Sequence, residues 1–435
     1  MLALCAGAGV CRAEDLPPCA GIPAALALPV ARSRFLMPAN LSYLNVGSLG
    51  PTPAAAIDCA VDAWRWLEAD KVERYAWSGG ATEAARAIAA RMLGNVSLDE
   101  LAHFPSTTAA LNAVADGLHG AGFFAPARWA DGAAPRALTT DHEHGGGRAA
   151  WEHYVARGAL AGLDVVALGA PPASADEVVA AFAAAFDRAP PRTYAVVSVS
   201  HVLTTTGAAL PLARLAGLAH ARGALLVVDG AQAAGNVPLD LAATGADAYT
   251  VSAHKWLLAP TGSGLLYVRS GGAGAPWIAP TQLDEGFASY TQCTGTTPYQ
   301  TIAGLGYALK FLEAAGGLDA TTRYALDLAA RTRANLLAAE PARVRVLSPA
   351  PESGLASAFV SFTLTPPACA AGDVAAALKE RAGIVVKTLP DNEGGTPLVS
   401  NALRVSHHVF NDEDELARFV AELTAALDDV CAARR

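Results

Sequence analysis

Short apolar runs alternate with alanine-rich stretches of helical length between about residues 60 and 270. The runs at 194–202 and 224–229 are rich in Val and Ala or Leu and flank a helical stretch at 212–222. Nearly continuous apolar strands separated by helices are typical of βα units around a parallel sheet that is buried on both faces. The pattern therefore predicts an α/β fold with a mostly parallel central sheet.

Polar residues directly follow five of the apolar runs. In sheets of this kind, ligands bind beyond the carboxyl ends of the strands, where loops and helix N-termini face a crevice. Five polar strand ends therefore predict one large site at one edge of the sheet. These strand ends are Ser106–Thr108, Asp141–His144, Thr204–Thr206, Asp229–Gln232 and Ser252–Lys255.

The pattern changes after Gly304, where a long helical stretch leads into a segment of helix, strands and a final amphipathic helix at 412–426. We expect this segment, 316–435, to form a smaller α+β C-terminal domain. The large domain is expected at 43–315, with 43–60 contributing to the small domain or the active site. Residues 1–42 are expected to be an N-terminal extension.

Composition and charge indicate a globular protein with a small-molecule partner. The 435 residues are 52% hydrophobic, which is enough for a large core. The net charge of -9 is spread without a block of like charges, which argues against nucleic acid or an anionic membrane as a partner. No apolar run reaches the length of about 18 residues that crossing a membrane requires.

The cysteines and the N-terminus bear on the compartment. The seven cysteines are an odd, scattered set without a C-x-x-C pair, so we expect neither a disulfide framework nor a zinc site, and no other metal. Residues 1–10 are apolar, but no Lys or Arg precedes them and no twin arginine is present. We therefore expect a cytoplasmic protein, with a truncated export signal and a periplasmic location as the alternative.

One lysine and one aspartate point to a cofactor that carries an aldehyde. Lys255 follows an apolar strand, stands after Ser252 and His254 and precedes a Pro/Gly turn, a setting that suits a desolvated amine reacting with an aldehyde. An ordinary surface lysine is the alternative. Asp229 ends a strongly apolar strand, where a carboxylate requires a cation such as a protonated pyridine nitrogen. A helix cap is the alternative for Asp229.

Two longer phrases resemble the class V aminotransferase family of fold type I pyridoxal 5'-phosphate (PLP) enzymes, in particular its isopenicillin N epimerase-like branch. They are Tyr43–Pro53 and His254–Pro260, the second followed by Gly262 and Gly264. The resemblance runs from about residue 43 to 425. It implies an aspartate aminotransferase-like large domain with a mostly parallel sheet, a smaller α+β C-terminal domain, PLP as cofactor, and a homodimer with composite active sites.

Position by position, the resemblance assigns the residues that hold the ring of the cofactor. Lys255 becomes the lysine that binds PLP as a Schiff base, and Asp229 the partner of the pyridine nitrogen. Gln232 becomes a donor to the phenolic oxygen of the ring. His144 matches a histidine that stacks on the ring, and a stacked imidazole can also shuttle protons. A helix N-terminal histidine without a catalytic role is the alternative for His144.

The phosphate is assigned to hydroxyls, backbone N–H groups and the start of the helix at 109–118, which are the groups that bind phosphate in proteins. An ordinary N-cap is the alternative for the Ser-Thr-Thr run. Thr204 stands near the place where desulfurases carry an asparagine that contacts cofactor or substrate. The remaining cofactor-binding residues implied by the resemblance are Ser106, Thr107, Thr108, Ser252 and His254, with Gly295 and Thr296 in a loop that reaches the neighbouring subunit's phosphate.

The substrate is assigned to an arginine and to the opening phrase. Arg404 lies inside the apolar run 401–406, where a guanidinium requires an anion and can bind a carboxylate through two parallel hydrogen bonds. The resemblance makes this anion the α-carboxylate of the substrate, and an internal salt bridge is the alternative. Asn45 and Gly47 are the other predicted substrate-binding residues.

The resemblance implies a PLP-dependent enzyme that acts on an amino acid by transamination or epimerisation. A lyase that eliminates a β-substituent is an alternative, and a PLP-binding protein without turnover is an alternative of another class. The stretch 387–404 contains no cysteine, although the mobile nucleophile of a cysteine desulfurase would fall there. Persulfide chemistry is therefore disfavoured, and the substrate and the choice among the other reactions stay open.

Overall fold

The structure is a computed structural model, and it describes residues 16–17, 19–71, 80–129, 132–272, 296–365, 370–389 and 399–432. The helices in these ranges are α1 (Ala54–Glu68), α2 (Gly80–Met92), α3 (Thr107–Gly120), α4 (Gly145–Ala156), α5 (Ala175–Arg188), α6 (Leu212–Ala221), α7 (Tyr299–Ala314), α8 (Gly317–Ala339), α9 (Ala371–Ala382) and α10 (Glu413–Ala432). The strands are β1 (Ser42–Tyr43), β2 (Leu101–Phe104), β3 (Arg136–Thr140), β4 (Gly162–Val166), β5 (Tyr194–Ser200), β6 (Leu225–Asp229), β7 (Ala248–Ser252), β8 (Gly264–Val268), β9 (Val344–Val346), β10 (Phe359–Leu364), β11 (Ile384–Val385), β12 (Lys387–Leu389) and β13 (Ala402–Ser406).

A seven-stranded sheet in the order β2-β8-β7-β6-β5-β3-β4 forms the centre of the molecule. The strands from β7 to β4 in this order pair in parallel, whereas β8 runs antiparallel to both of its neighbours. Every residue of β5, β6 and β7 is buried, because helices cover both faces of the sheet. The predicted α/β fold with a mostly parallel sheet is confirmed.

A second sheet lies in the C-terminal part of the chain, where β12-β13-β10-β9 pair antiparallel. Helices α8, α9 and α10 pack in the same region, α8 against β9 and β10 and α9 against α10. The short strand β1, near the start of the described chain, pairs in parallel with β11, so that Ser42 faces Ile384 across the ladder. Residues that begin the opening phrase are thus hydrogen-bonded to the C-terminal region.

The N-terminal segment before β1 packs onto the rest of the protein. Leu16, Val30 and Phe35 are buried in the main hydrophobic core. The backbone N–H of Leu26 donates to the carbonyl of Ala314 at the end of α7, and Val30 N–H donates to the carbonyl of Val409, both at 2.7 Å. This segment therefore contributes buried apolar surface and connects both parts of the molecule.

Cys19 and Cys59 form a disulfide that joins this segment to α1. No disulfide framework was expected, and this single bond was not predicted, because folding brings together two residues 40 positions apart that no local motif connects. The described helices include no apolar stretch long enough to cross a membrane.

We expect reduction of the Cys19–Cys59 bond to lower the free energy of unfolding by about 4 kcal/mol, the loop-closure value for a loop of this length. Urea unfolding with and without reductant measures the change. A Cys59→Ser variant should already have the lower stability and should not respond to reductant. An equal response of this variant would place the effect at another cysteine.

Candidate active site

The five polar strand ends meet at one edge of the central sheet. Because β8 is antiparallel to both β2 and β7, the C-terminal end of β2 lies beside that of β7. Thr107 Oγ1 and Ser252 Oγ are 2.9 Å apart, and His142 Nδ1 is 2.6 Å from Thr205 Oγ1. Side chains that are about 60 to 150 residues apart in the chain are therefore direct neighbours at this edge.

Lys255 lies in a tight turn just beyond β7. Its N–H donates to the carbonyl of Ser252 at 3.3 Å, and its carbonyl accepts from Leu258 N–H at 3.1 Å. Leu258 has a φ of 55°, a left-handed conformation that a branched side chain adopts only where the surroundings impose it. Gly50 N–H donates to the carbonyl of His254 at 2.9 Å, so the opening phrase lies directly on the lysine turn.

Asp229 ends β6 with its carboxyl group turned toward the start of α4. Its side chain is 7% exposed, and Oδ1 accepts from Ala231 N–H at 2.9 Å. In the part of the chain that the structure describes, Oδ2 has no donor. A Cβ on Gly147 would lie 2.9 Å from Oδ2, so only glycine permits this close approach of the helix. A carboxylate oxygen without a donor, on an otherwise buried residue, fits a protonated pyridine nitrogen.

The phosphate-binding residues predicted at the start of α3 and the end of β7 lie together. Ser106 is the N-cap of α3, where its Oγ accepts from Ala109 N–H at 3.2 Å, and Thr107 contacts Ser252. His254 Nδ1 donates to the carbonyl of Ser263 at 2.9 Å, and burial lowers its pKa. Hydroxyls and first-turn N–H groups of a helix are the donors that fit a phosphate.

The loop predicted to reach the neighbouring subunit is only partly described. Thr296 is exposed and lies shortly before α7, and Gly295 lies outside the described residues. Exposure of Thr296 is compatible with a contact to a second chain, and its role stays a prediction.

Gln232 connects three parts of the site. Its Nε2 donates to the carbonyl of Gly47 at 2.8 Å, and its Oε1 accepts from the indole N–H of Trp256 at 2.9 Å. An amide nitrogen has two hydrogens, and this contact uses one of them. The second hydrogen remains for a donor role to a ring oxygen, so the predicted role of Gln232 is compatible with its position.

Arg404 lies at the centre of β13, with its side chain 1% exposed. Its guanidinium carbon is 4.4 Å from the centroid of the Phe359 ring, a cation–π contact. Nη1 donates to the carbonyl of Thr204 at 3.0 Å and to Thr204 Oγ1 at 2.6 Å. Both of these hydrogen bonds are to neutral oxygens of Thr204, and the role of Arg404 toward an anion stays a prediction.

Thr204 and the opening phrase surround this arginine. The hydroxyl of Thr204, predicted to contact the cofactor, accepts from Arg404, and its own proton is still available to another acceptor. A Cβ on Gly47 would lie 2.4 Å from the Phe359 ring and 3.2 Å from Arg404 Nη2, which explains the glycine. Asn45 Oδ1 accepts from Ser48 Oγ at 2.8 Å and shapes the same loop.

His144 is the N-cap of α4, where its Nδ1 accepts from Gly146 N–H at 3.1 Å. The capping alternative is therefore observed in the structure. A ring nitrogen that accepts a hydrogen bond carries no proton, so this contact identifies Nδ1 as the acceptor nitrogen of His144. Stacking of His144 on the cofactor ring stays a prediction.

Glu143 is a buried residue of the site for which no role was predicted from the sequence. Its Oε1 accepts from Thr140 Oγ1 at 2.7 Å, and its Oε2 accepts from Ser200 N–H at 2.9 Å and from Ser200 Oγ at 2.5 Å. Burial, and to a smaller extent the charge of Asp229, raise the pKa of Glu143 to about 7. Its position in the polar stretch Asp141–His144, shortly after β3, is the feature of the sequence that could have identified Glu143 as a site residue.

Comparison with known proteins agrees with this geometry. Isopenicillin N epimerase of Streptomyces clavuligerus is 31% identical over 421 residues, covering 91% of this chain and 97% of that protein. Isopenicillin N epimerase of Amycolatopsis lactamdurans is 32% identical over 424 residues, covering 90% and 97%. The apo structure of a cysteine desulfurase from Thermococcus onnurineus NA1 has a TM-score of 0.74 at 22% identity, covering 92% and 98%.

The family model for the class-V aminotransferases matches residues 71–419. This range contains Lys255, Asp229 and Arg404. The predicted family is confirmed, and the chain belongs to the class-V aminotransferase family.

Proposed function

We propose that this protein is a PLP-dependent enzyme that transfers the amino group of an amino acid or inverts the configuration at its Cα. The observation that carries the proposal is the arrangement of Asp229, the Lys255 turn and Arg404 at one edge of the sheet. An acid, an amine and a buried guanidinium are thereby available for the ring nitrogen, the aldehyde and the substrate carboxylate. The two epimerase relatives support this reaction class.

Each residue of the site has a proposed role that follows from the chemistry of its side chain. PLP supplies, when bound, an electron sink for the electron pair released at Cα. Asp229 keeps the pyridine nitrogen protonated, and Arg404 orients the substrate through its carboxylate. Lys255 would hold the cofactor through its side-chain amine, and the same amine would move the proton at Cα of the substrate as a general base and acid. The donors near α3 and Ser252 anchor the phosphate.

A panel of L- and D-amino acids, incubated in deuterium oxide with and without a keto acid, tests the reaction class. Transfer of the amino group to the keto acid indicates transamination. Interconversion of enantiomers with deuterium at Cα, and no need for a keto acid, indicates epimerisation. Bound PLP with no exchange at Cα of any amino acid would contradict the proposal.

The proposed assembly is a homodimer with composite active sites. Support comes from the exposed position of Thr296 before α7 and from the resemblance of the loop that contains it. Sedimentation at micromolar concentration measures the assembly. A monomer with full PLP occupancy would contradict it.

The disulfide bears on the compartment. Disulfides persist in oxidising compartments and are rare in the cytosol, so the Cys19–Cys59 bond favours the exported alternative over the cytoplasmic one. Cell fractionation, with thiol labelling of protein taken directly from cells, tests this choice. A cytoplasmic protein with Cys19 and Cys59 free to react would reverse it.

Asp229→Asn should raise the activation free energy by about 1.5 to 3 kcal/mol, the contribution of a charge-assisted hydrogen bond. A neutral amide preserves the shape of the side chain but does not keep the pyridine nitrogen protonated. Steady-state kinetics measures the loss, and Asp240→Asn, at an exposed aspartate whose Oδ1 accepts from Ala243 N–H, is the matched control. Near-full turnover of Asp229→Asn would require another acid as the partner of the ring.

A further inference from the structure

Glu143 is a buried carboxylate at the level of Asp229 for which no cation partner is found among the described side chains. It lies between the ends of two strands, because Thr140 ends β3 and Ser200 ends β5, and both donate to it. Ser200 is the register partner of Asp229 in the parallel pair of β5 and β6. Ser200 thus donates to the carboxylate of Glu143 and is, through its backbone, the neighbour of Asp229 on the adjacent strand.

The donors of Glu143 suit its ionised form. Three donors reach its two oxygens, and they are two hydroxyls and one backbone N–H. Hydrogen bonds from donors offset part of the cost of burying a charge. The buried position opposes this effect and raises the pKa to about 7, so the group is mostly ionised at a mildly alkaline pH.

The described titratable groups around Glu143 are carboxylates, imidazoles and a phenol, with Asp141 next to the imidazole of His142. Asp229 on β6 is the charged group that acts on it, in the direction that raises its pKa. His142 precedes Glu143 and His201 follows Ser200, and burial lowers the pKa of both imidazoles. Tyr249 on β7 also interacts with Asp229, and burial raises the pKa of its hydroxyl. Two carboxylates therefore face a group of neutral side chains.

We propose that Glu143 is a positioning residue for Asp229, the carboxylate that binds the ring. Glu143 fixes the strand ends beside Asp229, and it adds a second negative charge on the side of the pyridine nitrogen. A cation bound at Asp229 is stabilised by the negative charges of both carboxylates. The inference rests on the proposed function, because it requires PLP at Asp229. It goes beyond that function because Glu143 touches neither cofactor nor substrate and acts through Asp229.

The test compares PLP with its analogue in which carbon replaces the ring nitrogen. Dissociation constants of both compounds are measured for the parent chain and for Glu143→Gln at about pH 8.5, above the pKa of Glu143. The variant should bind PLP about tenfold more weakly, the order expected for removing a nearby unit charge in a partly screened site. Its affinity for the analogue should stay within about twofold of the parent, because the analogue has no cation at that position.

Two further variants separate charge from structure. Glu143→Asp retains the charge and should keep most of the preference for PLP over the analogue, and it also serves if Glu143→Gln does not fold. Glu340→Gln, at a buried glutamate that pairs with Arg343 in the C-terminal region, should leave the preference unchanged.

Equal weakening of both compounds by Glu143→Gln would show a purely structural role and overturn the inference, as would no change in either. If the parent chain binds PLP, these results contradict only the inference about Glu143, and the proposed function stands. A parent chain that binds no PLP would remove the proposed function and the inference together.

Discussion

Replacing Lys255 with alanine is expected to abolish covalent attachment of PLP and to lower turnover by about 10²- to 10⁴-fold, the range that a positioned proton-transfer group contributes. Lys255 follows the end of β7 in a turn that Gly50 and Leu258 hold through backbone hydrogen bonds. These contacts use main-chain atoms, which the substitution leaves unchanged. The loss should therefore be chemical, with little change in thermal stability.

Borohydride reduction followed by mass spectrometry measures the attachment. The parent chain should carry one reduced adduct on the peptide that contains Lys255, and Lys255→Ala should carry none there. Lys379→Ala, at an exposed lysine in the last turn of α9, is the matched control and should behave like the parent. A reducible adduct that persists in Lys255→Ala would assign the cofactor to another amine.

The central sheet was predictable because its strands have a strong and simple pattern. The run predicted at 224–229 is β6 (Leu225–Asp229), and the helix predicted at 212–222 is α6 (Leu212–Ala221). A strand that is buried on both faces requires continuous apolar residues, so it is recognisable in the sequence as an apolar run. The polar residue at the end of each run then marks the site.

Helices without a polar face were harder to delimit. The long helical stretch predicted after Gly304 belongs to α7 (Tyr299–Ala314), whose residues are buried around most of its circumference. A helix buried on all sides lacks the 3.6-residue alternation that reveals its start. The final helix is likewise longer than predicted, since α10 continues to Ala432.

The contacts that orient the side chains of the site could not be predicted from local sequence patterns. Gln232 donates to Gly47, 185 positions away, and Arg404 donates to Thr204, 200 positions away. Residue type indicated that each side chain requires a partner, but the identity of the partner depends on how the two sheets pack. The same reason explains why the pairing of Cys19 with Cys59 was not predicted.

Replacing Arg404 with leucine should lower kcat/KM for amino acids. The expected loss corresponds to about 2 to 5 kcal/mol of transition-state stabilisation, which is the cost of leaving a buried charge without its partner. The unpartnered charge in this case is the substrate carboxylate. The effect should appear mainly as a higher KM, because the phosphate donors Thr107 and Ser252 lie on other elements and should still anchor PLP. Leucine retains apolar contact with the Phe359 ring, so the strand should stay folded.

Decarboxylated amines provide the decisive comparison, because they lack the group that Arg404 is expected to bind. They should react almost equally well with the parent and with Arg404→Leu, whereas amino acids should discriminate strongly between the two. Arg345→Leu, at an exposed arginine on β9 of the same sheet, is the matched control and should leave both substrates unaffected. A variant that loses PLP but handles amino acids normally when cofactor is added in excess would assign Arg404 to the cofactor instead. Equal losses for amino acids and amines would indicate that the guanidinium supports the loop at Thr204 and does not bind the substrate.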